Sequence, residues 1–80
     1  MEISKKYYLK EFQYFNGDYY ITFNIVDINT EKMTITLAIT DQGKISVIEY
    51  DLYRDKKDNL YFEYSVNHNK INIDDFEKID

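Results

Sequence analysis

Few of the 80 residues are of types that do chemistry. His68 is the only histidine, and it stands between Asn67 and Asn69. A metal site usually recruits two or more His or Cys, and an imidazole base needs a Ser or Thr nucleophile in reach. A histidine exposed on a turn is the favoured reading. Glu49 and Asp51 are two residues apart, which on a strand puts both carboxylates on one face. Such a pair does acid–base work when one member is desolvated and its pKa raised, but solvated sheet residues are far commoner. Asp55, Asp58 and Asn59 could offer oxygens to Ca²⁺, yet the spacing is not that of an EF-hand loop and Lys56 and Lys57 interrupt it. Gly17 and Gly43 both have turn duties. There is no Gly-rich phosphate loop, no G-x-S-x-G and no H-E-x-x-H. The expectation is a protein that is not an enzyme, with no catalytic residue, no cofactor and no metal.

The nine tyrosines say more. Tyr8, Tyr14, Tyr19, Tyr50 and Tyr64 fall on positions expected in the core. Tyr7, Tyr20, Tyr53 and Tyr61 fall on the other face or near strand ends. Either they shield a small sheet with their hydroxyls in water, or they form a protein-binding patch, since Tyr is enriched in binding hot spots. The acidic residues disperse over Asp27, Glu31, Asp41, Glu49, Asp51, Asp55 and Asp58, then gather in Asp74, Asp75, Glu77 and Asp80. They are solubilising and helix-capping charge, or they imitate a phosphate row toward a basic groove. The second needs clustering on one side. The residues expected to touch a partner are Tyr7, Glu11, Tyr20, Glu49, Asp51, Tyr53, Tyr61, Asp74, Asp75 and Glu77.

Composition narrows the partner. The net charge is −5 and Arg54 is the one arginine. Nucleic-acid binders carry basic patches that release counterions from phosphates, so direct nucleic-acid binding is disfavoured, and so is a membrane surface. No run approaches the roughly 20 apolar residues of a membrane span, and no apolar block follows Lys5 and Lys6 as in a signal peptide. With no Cys, there is no disulfide or thiolate site. A cytoplasmic location follows as the default. Ile, Lys, Asn and Tyr fill 36 of 80 positions, the mark of AT-rich coding and hence of a low-GC bacterium or a phage infecting one.

These residues must be positioned by β-structure. Eleven Ile, nine Tyr and five Phe are β-formers, and Ala38 is the one alanine. The length implies one small domain over residues 1–80. Asn16-Gly17 is the strongest hairpin signal. Read as a two-residue turn, it joins a strand from Tyr7 to Phe15 to one from Asp18 to Ile28. That pairs Phe15 with Asp18 and Phe12 with Ile21, and puts Phe12, Tyr14, Tyr19, Ile21, Phe23 and Ile25 on one face. A strand Met33–Thr40 follows, with Met33, Ile35, Leu37 and Ile39 on its apolar side. Bringing that side beside Ile25 requires an odd loop or a bulge, and a bulge is expected. Gly43 suits a three-residue loop that pairs Ile39 with Ile45. The strand Ile45–Tyr53 then changes phase, so it is buried on both faces or bulged near Val47-Ile48. Leu60–Val66 alternates again. Ile71–Ile73 forms a short edge strand pairing Ile71 with Val66, and Asp74 caps a helical turn through Ile79. The fold expected is all-β, or mainly β with a short C-terminal helix. It is an antiparallel five- to six-stranded meander, either a curled sheet or a small half-open barrel.

No family motif is present. In general character (tiny, acidic, Tyr-rich, free of Cys, AT-rich in coding) the chain is similar to phage-encoded inhibitors of host defence or host DNA enzymes, anti-CRISPR proteins among them. The likeness covers composition alone and assigns no residue. It implies a non-enzymatic inhibitor, anti-CRISPR-like or DNA-mimic-like, that binds a host protein with a basic surface in the cytoplasm. The alternative is an assembly module that self-associates, as a homodimer for instance, through sheet edges or the tyrosine face.

Overall fold

The structure is a computed structural model and describes residues 10–78. Tyr7, Tyr8 and Leu9, expected to open the first strand, lie outside the described residues, and so does Ile79. Among the described residues eight strands run in chain order: β1 (Lys10–Phe15), β2 (Tyr20–Asn29), β3 (Thr34–Asp41), β4 (Lys44–Asp51), β5 (Tyr53–Arg54), β6 (Leu60–Tyr64), β7 (Asn69–Asn72) and β8 (Glu77–Lys78). They form a five-stranded antiparallel sheet in the order β4-β3-β2-β1-β8 and a three-stranded sheet in the order β5-β6-β7. The fold is mainly β, as expected, and the two sheets do not close into a barrel.

The first hairpin has a wider turn than a type I′ reading allows. Phe15 pairs with Tyr20, not Asp18, and Phe12 with Phe23. The side chain of Asn16 is the reason. Its Oδ1 accepts the backbone N–H groups of Asp18 (2.9 Å) and Tyr19 (3.0 Å), and the Asn16 N–H donates to the Tyr19 carbonyl at 3.1 Å. Asn16 thus spends its side chain holding an Asx-type turn, and Gly17 supplies the positive φ of 106°. The register moves by two residues. Because side chains alternate with period two, the faces are unchanged: Ile21, Phe23 and Ile25 are buried and Tyr20 is exposed.

The expected bulge is present, one strand earlier than the turn. Ile25 pairs with Leu37 and Asp27 with Thr36, which leaves Val26 as the extra residue. Ile28 therefore faces the same core as Ile25, and Ile35, Leu37 and Ile39 pack beside them.

The second hairpin differs by one residue, and here the faces do exchange. Asp41 pairs with Lys44 across a two-residue turn, Gln42-Gly43, with φ of 51° and 82°. Both central residues carry the positive φ that a type I′ turn requires. Ile39 therefore meets Ser46 rather than Ile45, and Leu37 meets Ile48 rather than Val47. Strand β4 has no bulge and no phase change; Ile45 and Val47 simply point outward, 70% and 66% exposed. The break comes later, at buried Leu52, whose N–H donates to the Met33 carbonyl at 2.8 Å. Beyond it Tyr53 and Arg54 belong to the other sheet.

The C-terminal third departs most from expectation. Strand β6 stops at Tyr64, and Ser65 and His68 take positive φ (72° and 55°) in the turn that follows. Val66 lies in this turn, 91% exposed, and Ile71 pairs with Phe62 instead. The final helix is a single 3-10 turn, Ile73–Asp75, preceded by Asn72 with no side-chain cap bond. Asp74 caps nothing because Phe76 is needed in the core, and an extended Phe76 sends Glu77 back to pair with Glu11.

The core lies between the sheets. The inner face of the five-stranded sheet presents Phe12, Tyr14, Ile21, Phe23, Ile25, Ile35, Leu37, Ile39 and Tyr50; Phe62, Ile71, Ile73 and Phe76 close over it. Edge-to-face aromatic contacts join the layers: Phe23 to Phe62 at 6.0 Å, Phe23 to Tyr64 at 4.9 Å and Tyr14 to Tyr64 at 5.3 Å between centroids. Such geometry sets the positive ring edge against a negative ring face.

Candidate protein-binding surface

With the three-stranded sheet over one face, the other face of the five-stranded sheet carries no packed layer among the described residues. Its occupants follow from the register, since directly opposed residues share a side. One row across the sheet reads Glu77, Glu11, Asn24, Ala38, Val47. The next, beyond the bulge, reads Asp27, Thr36, Glu49, and the one after it Asn29, Thr34, Asp51. In the opposite direction come Gln13, Thr22, Thr40, Ile45 and then Phe15, Tyr20.

The face is divided chemically. Glu11, Asp27, Glu49, Asp51 and Glu77 occupy three successive rows at one end. Phe15 and Tyr20 (ring centroids 5.0 Å apart) with Ile45 occupy the other, and Val47 ends the row that Glu77 and Glu11 begin. Thr, Asn and Ala fill the middle. Glu11 and Glu77 stand directly opposite one another, a like-charge pair that works against stability. Gln13 Nε2 donates to Glu11 at 2.9 Å, and Thr22 Oγ1 donates to Gln13 Oε1 at 3.1 Å, so Glu11 is held in a short polar chain.

Of the residues expected to bind a partner, Glu11, Tyr20, Glu49, Asp51 and Glu77 share this face, Glu11 and Glu77 on its β1–β8 side, Glu49 and Asp51 at its β4 edge and Tyr20 at its apolar end. Asp74 and Asp75 sit exposed on the 3-10 turn, and Asp75 joins Glu11 and Glu77 around a hollow of about 190 Å³. Tyr53 and Tyr61 belong to the other sheet, where their rings lie 5.5 Å apart and the Lys70 ammonium sits 4.3 Å over Tyr61. Tyr61 is thereby engaged within the chain, while Tyr53 is exposed. Tyr7 lies outside the described residues. Sequence reading missed Ile45, Val47 and Phe15 as surface residues. The signal that would have found the first two is Gln42-Gly43 read as a two-residue turn.

Two clefts flank β4. One, about 570 Å³, is lined by Glu49, Asp51, Tyr53, Glu63, Val66 and His68. His68 Nδ1 lies 3.2 Å from Glu63 Oε1, so the one histidine faces a carboxylate on an open surface. The other, about 470 Å³, runs past Asp41, Lys44, Tyr50 and Tyr64. Burial raises the phenol of Tyr64, with the Asp41 charge adding to it, and burial followed by Tyr64 raises that of Tyr50. One oxygen of Asp41 is buried without a hydrogen-bond partner.

The Asp55 loop uses its oxygens on itself. Asp55 Oδ1 accepts the Asn59 and Lys57 backbone N–H groups, both at 2.9 Å, and the Asn59 bond foremost holds its carboxyl below the ordinary range. Arg54 takes Asp58 at 3.0 Å. Among the described residues no group of three His, Cys, Asp or Glu is arranged to hold a metal ion, and no helix is long and apolar enough to cross a membrane.

Comparison with protein-family models, with curated proteins and with solved structures returns no match.

Proposed function

We propose that this chain is a non-enzymatic binding protein that covers a basic surface of another protein with the acidic outer face of its five-stranded sheet. The observation that carries the reading is the gathering of Glu11, Asp27, Glu49, Asp51 and Glu77 onto one uncovered face. These carboxylates are far apart in sequence. Their assembly on one side meets the condition under which acidic residues act together on a cationic partner. The aromatic pair Phe15–Tyr20 on the same face supplies apolar contact of the kind that anchors interfaces.

The finer reading is an inhibitor of DNA-mimic type, phage-encoded and acting in the cytoplasm of a low-GC bacterium on a defence or nucleic-acid-processing protein. Spacing supports it. Carboxylates two residues apart on a strand, such as Glu49 and Asp51, are roughly 6.8 Å apart, twice the roughly 3.4 Å axial step per phosphate of one DNA strand.

The test is affinity capture from a low-GC bacterial lysate, run with the wild-type chain and with a Glu49→Gln, Asp51→Gln variant at low and high salt. A basic protein retained at low salt, released at high salt and lost with the variant is the expected outcome, because screening acts most on exposed charges. Capture indifferent to both the variant and the salt overturns the reading.

A further inference from the structure

We propose that two copies of this chain join their five-stranded sheets along β4, antiparallel, with Ser46 facing Ser46 of the second copy across the two-fold axis.

Strand β4 is an edge of the larger sheet and is eight residues long. Proteins blunt such edges with short strands, bulges, proline or charges at mid-strand. Strand β4 has none of these over Ile45–Ile48; its charges, Lys44, Glu49 and Asp51, stand toward its two ends. Its pairing with β3 is regular from Lys44 to Asp51, the chain has no proline, and no charged side chain lies between Ile45 and Ile48. Ile45, Val47 and Ile48 are exposed. The other edges among the described residues are shorter: β5 and β8 are two residues each and β7 is four.

The pattern of β4 selects a second copy as the occupant. A two-fold axis perpendicular to the sheet keeps both outer faces on the same side, so residues opposed across the seam must share a face. Centring the pairing on Ser46 sets Ile45 against Val47 of the second copy twice on the outer side. On the inner side it sets Lys44 against Ile48 twice, with the lysine stem over the isoleucine. Centring on Val47 would oppose Ile45 with Glu49, and centring on Ile48 would oppose it with Asp51. The first register sets two branched apolar pairs across the seam, the favoured cross-strand pairs, where each of the other two sets one, Val47 or Ile48 against itself on the axis, beside a carboxylate facing an apolar side chain. It also leaves every carboxylate outside the seam, which matters for a chain of net charge −5 meeting its own copy. The two Lys44 residues then lie about 13 Å apart along the strands, beyond the roughly 10 Å screening length at 0.1 M salt. Glu49 and Asp51 stay free, so this pairing stands independently of the acidic-face reading.

The absence of cysteine makes the register directly testable. Directly opposed Cα atoms in an antiparallel pair are roughly 4.5–5.5 Å apart, inside the range a disulfide bridges. Ser46→Cys treated with oxidised glutathione should give a covalent dimer much faster than Ser65→Cys, an exposed control on the β6–β7 turn, or Val47→Cys. Sedimentation of the wild-type chain should show a reversible dimer, and an Ile45→Lys, Val47→Lys variant with an unchanged circular dichroism spectrum should be monomeric. A wild-type chain that stays monomeric at the highest soluble concentration overturns the proposal and leaves the edge to a strand of another protein. Faster cross-linking through Val47→Cys overturns the register.

Discussion

Phe62→Ala is the sharpest test of how the two sheets are joined. Phe62 is fully buried. Its ring meets Tyr50 at 5.4 Å, Phe23 at 6.0 Å and Phe76 at 6.3 Å between centroids. It therefore touches the larger sheet through two strands and the C-terminal segment through a third contact. Burying a Phe side chain contributes about 1.5–3 kcal/mol, aromatic pairs contribute about 0.5–1.5 kcal/mol each beyond area, and truncation leaves a cavity. Measured Phe→Ala costs of about 3–5 kcal/mol agree with that scale. A chain of this length has a total stability of about 4–12 kcal/mol, so the substitution should remove a quarter or more of it. The thermal midpoint should fall by roughly 4–8 °C per kcal/mol, which is about 12 °C or more. Urea unfolding followed by circular dichroism is the assay, with Val66→Ala as the companion. Val66 alternates in phase with Phe62 in the sequence yet is exposed in the turn, so its truncation should change stability by no more than about 0.5 kcal/mol. Comparable losses at the two positions would refute the register, and a loss under about 1 kcal/mol at Phe62 would refute its role between the sheets.

Two further outcomes follow from the turn and from the buried phenols. Gly43→Ala should cost about 1–2 kcal/mol in urea unfolding, since Gly43 holds a φ of 82° and a Cβ there meets nothing within 4 Å, which leaves backbone strain as the only term. Tyr50 and Tyr64 have phenols raised above 10.0, mainly by burial. The folded state therefore holds its protons more tightly than the unfolded state, and stability is complete below about pH 10 and is lost as pH rises through the raised values. An ultraviolet titration should show two tyrosines ionising late, and Asp41→Asn should bring Tyr64 down.

What the sequence could reveal depended on parity. In the first hairpin the expected and observed registers differ by two residues and every face is kept, because strand side chains repeat with period two. In the second they differ by one, and Ile45 and Val47 stand on the surface instead of in the expected core. Nothing local distinguishes the two cases: both rest on a glycine after a polar residue, and only the capture of two N–H groups by Asn16 separates them. The acidic face shows the same division. That Glu49 and Asp51 share a side is a two-residue fact, readable from spacing. That Glu77 stands beside Glu11 depends on the chain returning to β1 after Phe76, a pairing across 66 positions that no short-range pattern encodes. Asp74 and Asp75 looked like a helix start because local charge favours one, and burial of Phe76 outweighed it.

The bulge at Val26 has a consequence for how this sheet can change over generations. Remove Val26 from the string and Ile21 to Asn29 alternates without interruption, with the same partners on β3 and the same four residues in the following turn. No core side chain requires it. Val26 behaves as a one-codon insertion that adds bend and twist to β2 and leaves the buried set intact. Curvature in this fold is thus separable from composition. Adding or removing a single residue there can reshape the outer face while the interior is inherited unchanged.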